Sequence, residues 1–254
     1  MRNESEHIIE FFKMSIAGLR IEVECHYRKV FNLCGQYLAH FECPDFVIST
    51  TMEEIEAEQD RITEIDDAQQ KKQIAKASDY LETLAVYRKI AEKVIDYDIF
   101  LMHGAAIALN GEAYLFIAKS GTGKTTHIKK WLENRPDCIV VNGDKPLIRI
   151  TEQKILVCGT PWCGKEKLGT NTMVPLKAVI FMERNEENTM EAVSFMDILP
   201  KLIAQTYMPG DTEKRQKTIA LLYQLKDYVR FYHFRFNNMR EDAFSVAYHT
   251  LTGE

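Results

Sequence analysis

The stretch Ala113-Tyr-Leu-Phe-Ile-Ala-Lys-Ser-Gly-Thr-Gly-Lys-Thr-Thr126 runs from an apolar strand pattern through a glycine turn into a helical pattern. Against G-x-x-x-x-G-K-[ST] it matches at Gly123, Lys124 and Thr125, with Ala118 standing where the first glycine usually does. Alanine is the smallest departure available. Ser120-Gly121-Thr122-Gly123 lets successive backbone N–H groups point into one concavity, an anion nest. The helix that follows adds its N-terminal amides and the positive end of its dipole. In that arrangement Lys124 supplies a point charge for the β- and γ-phosphates, and the Thr125 hydroxyl can ligate Mg²⁺. Ser120, Gly121, Thr122, Gly123, Lys124, Thr125 and Thr126 therefore form the candidate nucleotide-binding segment. A chance glycine turn before a helix is the alternative, and the strand–loop–helix context argues against it.

The flanking sequence supplies that context. Ile99 to Leu109 and Ala113 to Ala118 are apolar, and Asn110-Gly111 between them predicts a hairpin, because both residues tolerate positive φ. Ile128, Trp131 and Leu132 give the following helix an apolar face. Strands are expected at Cys138–Val141, Lys154–Cys158, Lys177–Met182 and Tyr228–Phe236. Helices are expected at Met196–Thr206, Thr212–Leu225 and Met239–Leu251.

A phosphate loop also needs a carboxylate, for the metal or for the acceptor proton. Asp144, in Val140-Val-Asn-Gly-Asp-Lys-Pro146, directly follows a short apolar strand, where such a carboxylate should lie beside the loop. Asp137 precedes that strand and falls at the opposite edge. An ordinary turn aspartate is the other reading of Asp144, since Asn-Gly-Asp favours turns. His103, in Leu101-Met-His-Gly104, can reach the γ-phosphate or the acceptor, or can be structural. Arg184, at an expected strand end, is either a charge clamp on phosphate or a surface ion pair. Gly159-Thr-Pro-Trp-Cys-Gly-Lys165 is dense in turn formers and either carries Lys165 towards phosphate or is a packed turn. Cys163 has no base nearby in sequence to make it a nucleophile.

Length and composition bound the rest. At roughly 150 residues per domain, the 254 residues make one large domain or two small ones, and 46% apolar residues suffice for a core. A net charge of −5 argues against bulk nucleic-acid binding. Residues 1–100 hold 12 basic and 20 acidic side chains, and residues 101–254 hold 20 and 17, so an anionic ligand is better placed in the C-terminal part. The polar start lacks a signal-peptide pattern, and no apolar run approaches the ~18 residues of a membrane span. Six cysteines without a Cys-x-x-Cys pair read as reduced thiols in a cytoplasm.

The N-terminal part reads differently from the core. Leu19, Ile21 and Val23 alternate as in a half-buried strand, and Phe46–Thr50 is a second strand candidate within a mixed region at 9–50. Glu53 to Asp67 holds eight carboxylates and one arginine, which reads as a solvated face or linker rather than a cation site. Gaps of three and four residues among Ile74, Ala77, Leu81, Leu84, Tyr87, Ala91 and Val94 predict an amphipathic helix over 68–95. The pattern changes near residue 97. That places a small N-terminal α+β domain at 1–96 and the core at 97–254.

His103-Gly104, the Asn110-Gly111 hairpin, Ser120-Gly-Thr-Gly-Lys-Thr125 and Asp144 together resemble the HPr kinase/phosphorylase group. The resemblance covers residues 99 to 150. Gly159 to Lys165, the Arg184 region and Tyr228 to Leu251 look like small HPr-kinase-related proteins of Gram-positive bacteria, while residues 1–96 match nothing. The resemblance implies an α/β fold with a mixed-sheet P-loop kinase core of the phosphoenolpyruvate carboxykinase-like type. It implies ATP and Mg²⁺ as cofactors and phosphoryl transfer to a hydroxyl of a peptide, protein or metabolite, serine in the protein-kinase members. Relatives in the family assemble, which implies a homo-oligomer.

Carried over by position, Lys124 is the phosphate lysine, Thr125 and Asp144 hold the metal, and His103 matches the family's histidine. Lys124, Asp144 and His103 are thus the catalytic candidates. The sequence departs from the family twice. Gly143 takes the place of the first of two adjacent aspartates, the one usually credited with activating the acceptor hydroxyl. The Glu-Ile-Arg-Gly signature is absent, with Gly159-Thr-Pro-Trp-Cys-Gly164 near its expected place. Both argue against HPr itself as acceptor and against phosphorylase activity. A nucleotide-binding accessory protein without catalysis is the alternative, and a carboxykinase-type lyase ranks below both.

Overall fold

Alternating buried positions in residues 10–25 close into a hairpin in the computed structural model, which describes residues 10–68, 75–237 and 242–253. Strands β1 (Glu10–Ile16) and β2 (Leu19–Cys25) pair antiparallel across Ala17-Gly18, whose φ values of 53° and 78° suit a two-residue turn. Helix α1 (Arg28–Leu33) follows, and β3 (Phe46–Ser49) joins β2 in parallel. The acidic run is not a linker but α2 (Met52–Ala68). A capping box starts it: the Thr51 amide donates to Glu54 at 2.9 Å and the Glu54 amide to the Thr51 hydroxyl at 3.3 Å. Glu53 and Glu54 in the first turn also suit the helix dipole.

Glu58 of α2 turns inward, 1% exposed, and accepts two bonds from Arg88 at 2.8 and 2.9 Å. Arg88 lies on α3 (Ser78–Lys93), and Arg61 pairs with the same carboxylate. A buried carboxylate paired in this way is satisfied. Helix α3 begins at Ser78 rather than near Ala68, because the Ala77 carbonyl takes the first rungs from Tyr80 and Leu81. Ile74, on the expected helix face, and Met239, the expected start of the last helix, lie outside the described residues.

The chain divides between Lys93 and Val94 into two units. The second contains, in order, β4 (Ile99–Leu101), β5 (Ala105–Leu109), β6 (Glu112–Ile117), α4 (Lys124–Asn134), β7 (Ile139–Asn142), β8 (Leu147–Ile150) and β9 (Ile155–Cys158). It continues with β10 (Met173–Arg184), β11 (Thr189–Ala192), α5 (Phe195–Gln205), α6 (Thr212–Gln224), β12 (Arg230–Phe236) and α7 (Ala243–Thr252). The strands form one mixed sheet in the order β4-β8-β9-β10-β6-β5-β7, with β12 paired to β10 and β11 to β12. Asn110 and Gly111, at φ 53° and 77°, turn the β5–β6 hairpin.

Strand β10 runs twelve residues, well beyond the expected Lys177–Met182. Its start, Met173–Pro175, pairs with β9, and Ala178–Arg184 pair with β12. Pro175 breaks the strand pattern in sequence; the fold accommodates it just before a register shift between Leu176 and Ala178, where the strand changes neighbours. Strands β8 and β11 fall outside the expected set: Arg149 interrupts the apolar run of β8, and β11, Thr189-Met-Glu-Ala192, is mostly exposed and carries no apolar run.

One sheet face packs Leu115, Ile117 and Val179 against Ile198 and Leu202 of α5 and Leu221 and Leu222 of α6. The other packs Phe116, Ile180 and Phe234 against Ile128 and Trp131 of α4 and Ala247 and Leu251 of α7. Helices thus cover both faces of a mixed α/β sheet. Among the described residues no helix is long and apolar enough to cross a membrane.

His127 is 1% exposed in that second layer, against the rings of Phe116, Phe234 and Phe236. Its Nε2 accepts the Trp131 indole N–H at 3.0 Å. Burial, helped by the charge of Lys130, pushes its pKa down from 6.5 to about 3. The unfolded chain takes up this proton and the folded chain does not. Stability should therefore fall as pH drops from about 6.5 towards 3, by about 1.4 kcal/mol per unit. Denaturant unfolding at a series of pH values should show that slope, and His127→Gln, which keeps an acceptor for Trp131, should flatten it.

Candidate functional site

Sheet polarity brings four segments to one edge. Strand β5 runs antiparallel to β6 and β7, and β10 runs parallel to β6. The C-terminal ends of β6, β7 and β10 and the N-terminal end of β5 therefore meet. They carry, respectively, the 118–123 loop, the 142–145 turn, Arg184 and His103-Gly104.

The loop leaves β6 and enters α4 through two glycines in the left-handed region, Gly121 at φ 78° and Gly123 at φ 121°. Three of its carbonyls are held by cations, while that of Lys119 accepts from the Thr122 amide and hydroxyl. Lys124 Nζ donates to the Ala118 carbonyl at 3.0 Å. Arg184 donates Nε to the Thr122 carbonyl at 3.0 Å and Nη2 to the Gly121 carbonyl at 2.7 Å. In a trans peptide the N–H points away from the carbonyl, so turning the Thr122 carbonyl to Arg184 turns the Gly123 amide the other way. Ser120, Thr125 and Thr126 are exposed. Burial lowers the Lys124 pKa, with the neighbouring charge of Asp144 opposing and that of Lys145 adding to the effect.

Asp144 stands in a turn built on Asn142, which is fully buried. Asn142 Oδ1 accepts the Asp144 and Lys145 amides at 2.9 and 2.6 Å. Its Nδ2 donates to the carbonyl and hydroxyl oxygens of Thr160, both at 3.0 Å, and the Thr160 hydroxyl donates to the Lys145 carbonyl at 2.8 Å. The Gly104 amide donates to the Asp144 carbonyl at 2.9 Å, tying the turn to the start of β5. Two side chains bracket the carboxylate: His103 Nε2 lies 3.2 Å from Oδ1 and Lys145 Nζ 3.0 Å from Oδ2. Burial pushes the Asp144 pKa up, but His103 and Lys145 together outweigh it and hold it down at about 2. Asp144 is ionised at neutral pH.

Position 143 has no room for a side chain. A Cβ on Gly143 would lie 2.8 Å from the Cys163 carbonyl and 3.0 Å from that of Leu168. The Gly143 amide donates to the same Leu168 carbonyl at 2.8 Å. The segment after β9 fills the volume an aspartate there would need. Gly164, at φ 85°, lies so close that a Cβ on it would sit 3.2 Å from the Asp144 Cβ.

Of the residues singled out from sequence, His103 and Asp144 touch, and Lys124 feels the charge of Asp144. Arg184 meets the loop through its carbonyls. Asp137 lies before β7, at the far end of that strand, and pairs with Arg135 at 2.8 Å. Lys165 is exposed, and burial raises the Cys163 pKa, so that thiol is not activated. Asn142, Lys145 and Thr160 are participants the sequence reading did not single out. The Asn-Gly-Asp pattern was a usable signal for Asn142, since asparagine caps the amides that follow it in such turns. Nothing in the spacing marks Thr160, which is fifteen residues from Lys145.

No family model matches this chain. No curated protein matches it either. Among solved structures it is similar to the HPr(Ser) kinase/phosphatase from Coxiella burnetii, at 7% sequence identity and a TM-score of 0.37, over 59% of this chain and 95% of that one.

Replacing Asn142 with alanine leaves two turn amides and Thr160 without their partner inside the fold. Asn142→Ala should cost roughly 1–3 kcal/mol in unfolding free energy, as removal of a buried hydrogen-bonding side chain does. Unchanged denaturant midpoints would show that the turn holds without it.

Proposed function

We propose that the 118–126 segment binds the polyphosphate of ATP with Mg²⁺, and that the protein transfers the γ-phosphoryl group to a hydroxyl acceptor. One observation carries this reading: a glycine loop with its carbonyls engaged, a half-buried lysine and an ionised carboxylate converge at one sheet edge. The acceptor is a serine of a peptide or protein, or a metabolite hydroxyl. Residues 97–254 would be the kinase core, of the phosphoenolpyruvate carboxykinase-like type, and residues 1–96 a separate small domain.

The residues present fit such a ligand. Glycines at 121 and 123 take the positive φ values that aim loop amides at an anion. Thr125 and Asp144 would hold Mg²⁺, an exposed hydroxyl and an ionised carboxylate being the hard oxygen donors that ion selects. Bound magnesium would neutralise charge on the β- and γ-phosphates. Lys124 would face the same phosphates. The Asp144–His103 pair would orient the acceptor hydroxyl from the β5–β7 side. In such transfers positioning and electrostatics supply nearly all the catalysis.

A second reading has an observation behind it: the blocked space at Gly143. A protein that binds nucleotide without consuming it would have no use for an aspartate there. Lys124→Ala should abolish detectable nucleotide turnover while leaving the circular dichroism spectrum unchanged and lowering the unfolding midpoint by no more than the loss of one part-buried hydrogen bond. Turnover at the wild-type rate would disprove the loop assignment. Wild-type protein that binds ATP and consumes none, with serine peptides or hydroxyl metabolites supplied, would favour the accessory reading.

A further inference from the structure

Lys145 was not marked by any motif, yet its main chain is the most tightly held part of the turn. Its amide donates to Asn142 at 2.6 Å and its carbonyl accepts from Thr160 at 2.8 Å. Both partners are buried, Asn142 completely and Thr160 at 2% exposed. The turn therefore fixes where the side chain begins. Its ammonium ends 3.0 Å from Asp144 Oδ2, on the opposite oxygen from His103. Both side chains of the pair are only about a third exposed, Lys145 at 29% and Asp144 at 30%.

The charges around this point do not balance. Lys124 and Lys145 face one carboxylate, Asp144, and the two ammonium groups are close enough for Lys145 to weaken proton binding at Lys124. Arg184 adds a further positive charge behind the loop. An excess of like charge in a partly desolvated cleft is unfavourable unless an anion completes it. The 118–123 loop and the 142–145 turn follow β6 and β7 at the same edge of the sheet, so the turn stands beside the loop that the nucleotide reading assigns to the phosphates.

We propose that Lys145 is a second phosphate-facing ammonium that turns from Asp144 to the terminal phosphate of a bound nucleoside triphosphate. This rests on the nucleotide reading above and assigns to this chain a residue for discriminating triphosphate from diphosphate. Lysine suits the task because its point charge on a flexible stem can exchange partners without moving the backbone. In the same movement the Asp144 oxygen it leaves becomes free for a metal or an acceptor proton. Lys145 is thus a positioning residue for the terminal phosphate as well as a counter-ion of Asp144.

The test is calorimetric binding of a non-hydrolysable ATP analogue and of ADP, each with Mg²⁺, to wild type, Lys145→Met and Lys145→Arg. Loss of one charge contact to a phosphate should weaken analogue binding in the Met variant by about tenfold and leave ADP within about twofold. Lys145→Arg should recover most of the analogue affinity, because the charge is restored. The salt dependence of analogue binding should be shallower in the Met variant than in wild type, since one phosphate contact fewer is screened. Equal weakening of ADP and analogue, or no weakening of either, overturns the proposal and leaves Lys145 as a counter-ion alone. Wild-type protein that binds neither ligand overturns the nucleotide reading itself, an outcome distinct from any difference among the variants. Should the unfolding midpoint of the ligand-free Met variant show that it fails to fold, Lys145→Gln takes its place: analogue affinity well below wild type with ADP affinity kept supports the proposal, and parallel losses or none refute it.

Discussion

A glycine loop offers its amides to an anion when its carbonyls are turned the other way and held there. In this protein that condition is met by two side chains from different parts of the chain. Lys124, at the start of the helix after the loop, reaches back to the Ala118 carbonyl. Arg184, at the end of a strand sixty-two residues from Thr122, takes the carbonyls of Thr122 and Gly121. Two glycines with positive φ let the backbone turn sharply enough for both to reach. The loop's shape is therefore a product of the sheet, since Arg184 arrives only because β10 lies parallel to β6.

The same sheet polarity assembles the facing turn. Asn142 is buried, and a buried amide side chain is tolerated only when its hydrogen-bonding groups find partners. It meets that demand with two turn amides and two oxygens of Thr160. The result is a carboxylate aimed at the edge, flanked by His103 and Lys145 and kept ionised despite partial burial. The tight approach of the 160–170 segment has a chemical consequence. It holds Gly143 as the residue with no side chain to displace, so the turn offers one carboxylate where two adjacent aspartates would have offered a pair.

Several elements were legible in the chain before any coordinates. The Asn110-Gly111 hairpin, the helix after Gly123 and the strand before Asp144 follow from local signals: positive-φ residues, 3.6-residue periodicity and a short apolar run. The contact between His103 and Asp144 was partly legible, in that both were singled out, although nothing local states that β5 and β7 are neighbours. Other elements were hidden for reasons of the same physics. Pro175 masked the first part of β10, because proline is a strand breaker except where a strand changes partners. Eight carboxylates masked α2, because charge density reads as solvation until Arg88 and Arg61 are seen around Glu58. Arg184 was legible as a cation at a strand end but not as a clasp on carbonyls.

Sequence alone determined which groups this protein has to offer an anion: a flexible glycine turn, one lysine and one hydroxyl at a helix start, and an aspartate after a strand. Those features are local, set by residues within a few positions of one another, so spacing is enough to reveal them. Which groups face each other was decided only in three dimensions. Thr160 under the turn, Lys145 across from Lys124 and the closed space at Gly143 arise from contacts between segments distant along the chain. Strand order and packing set those contacts, and no local pattern records them.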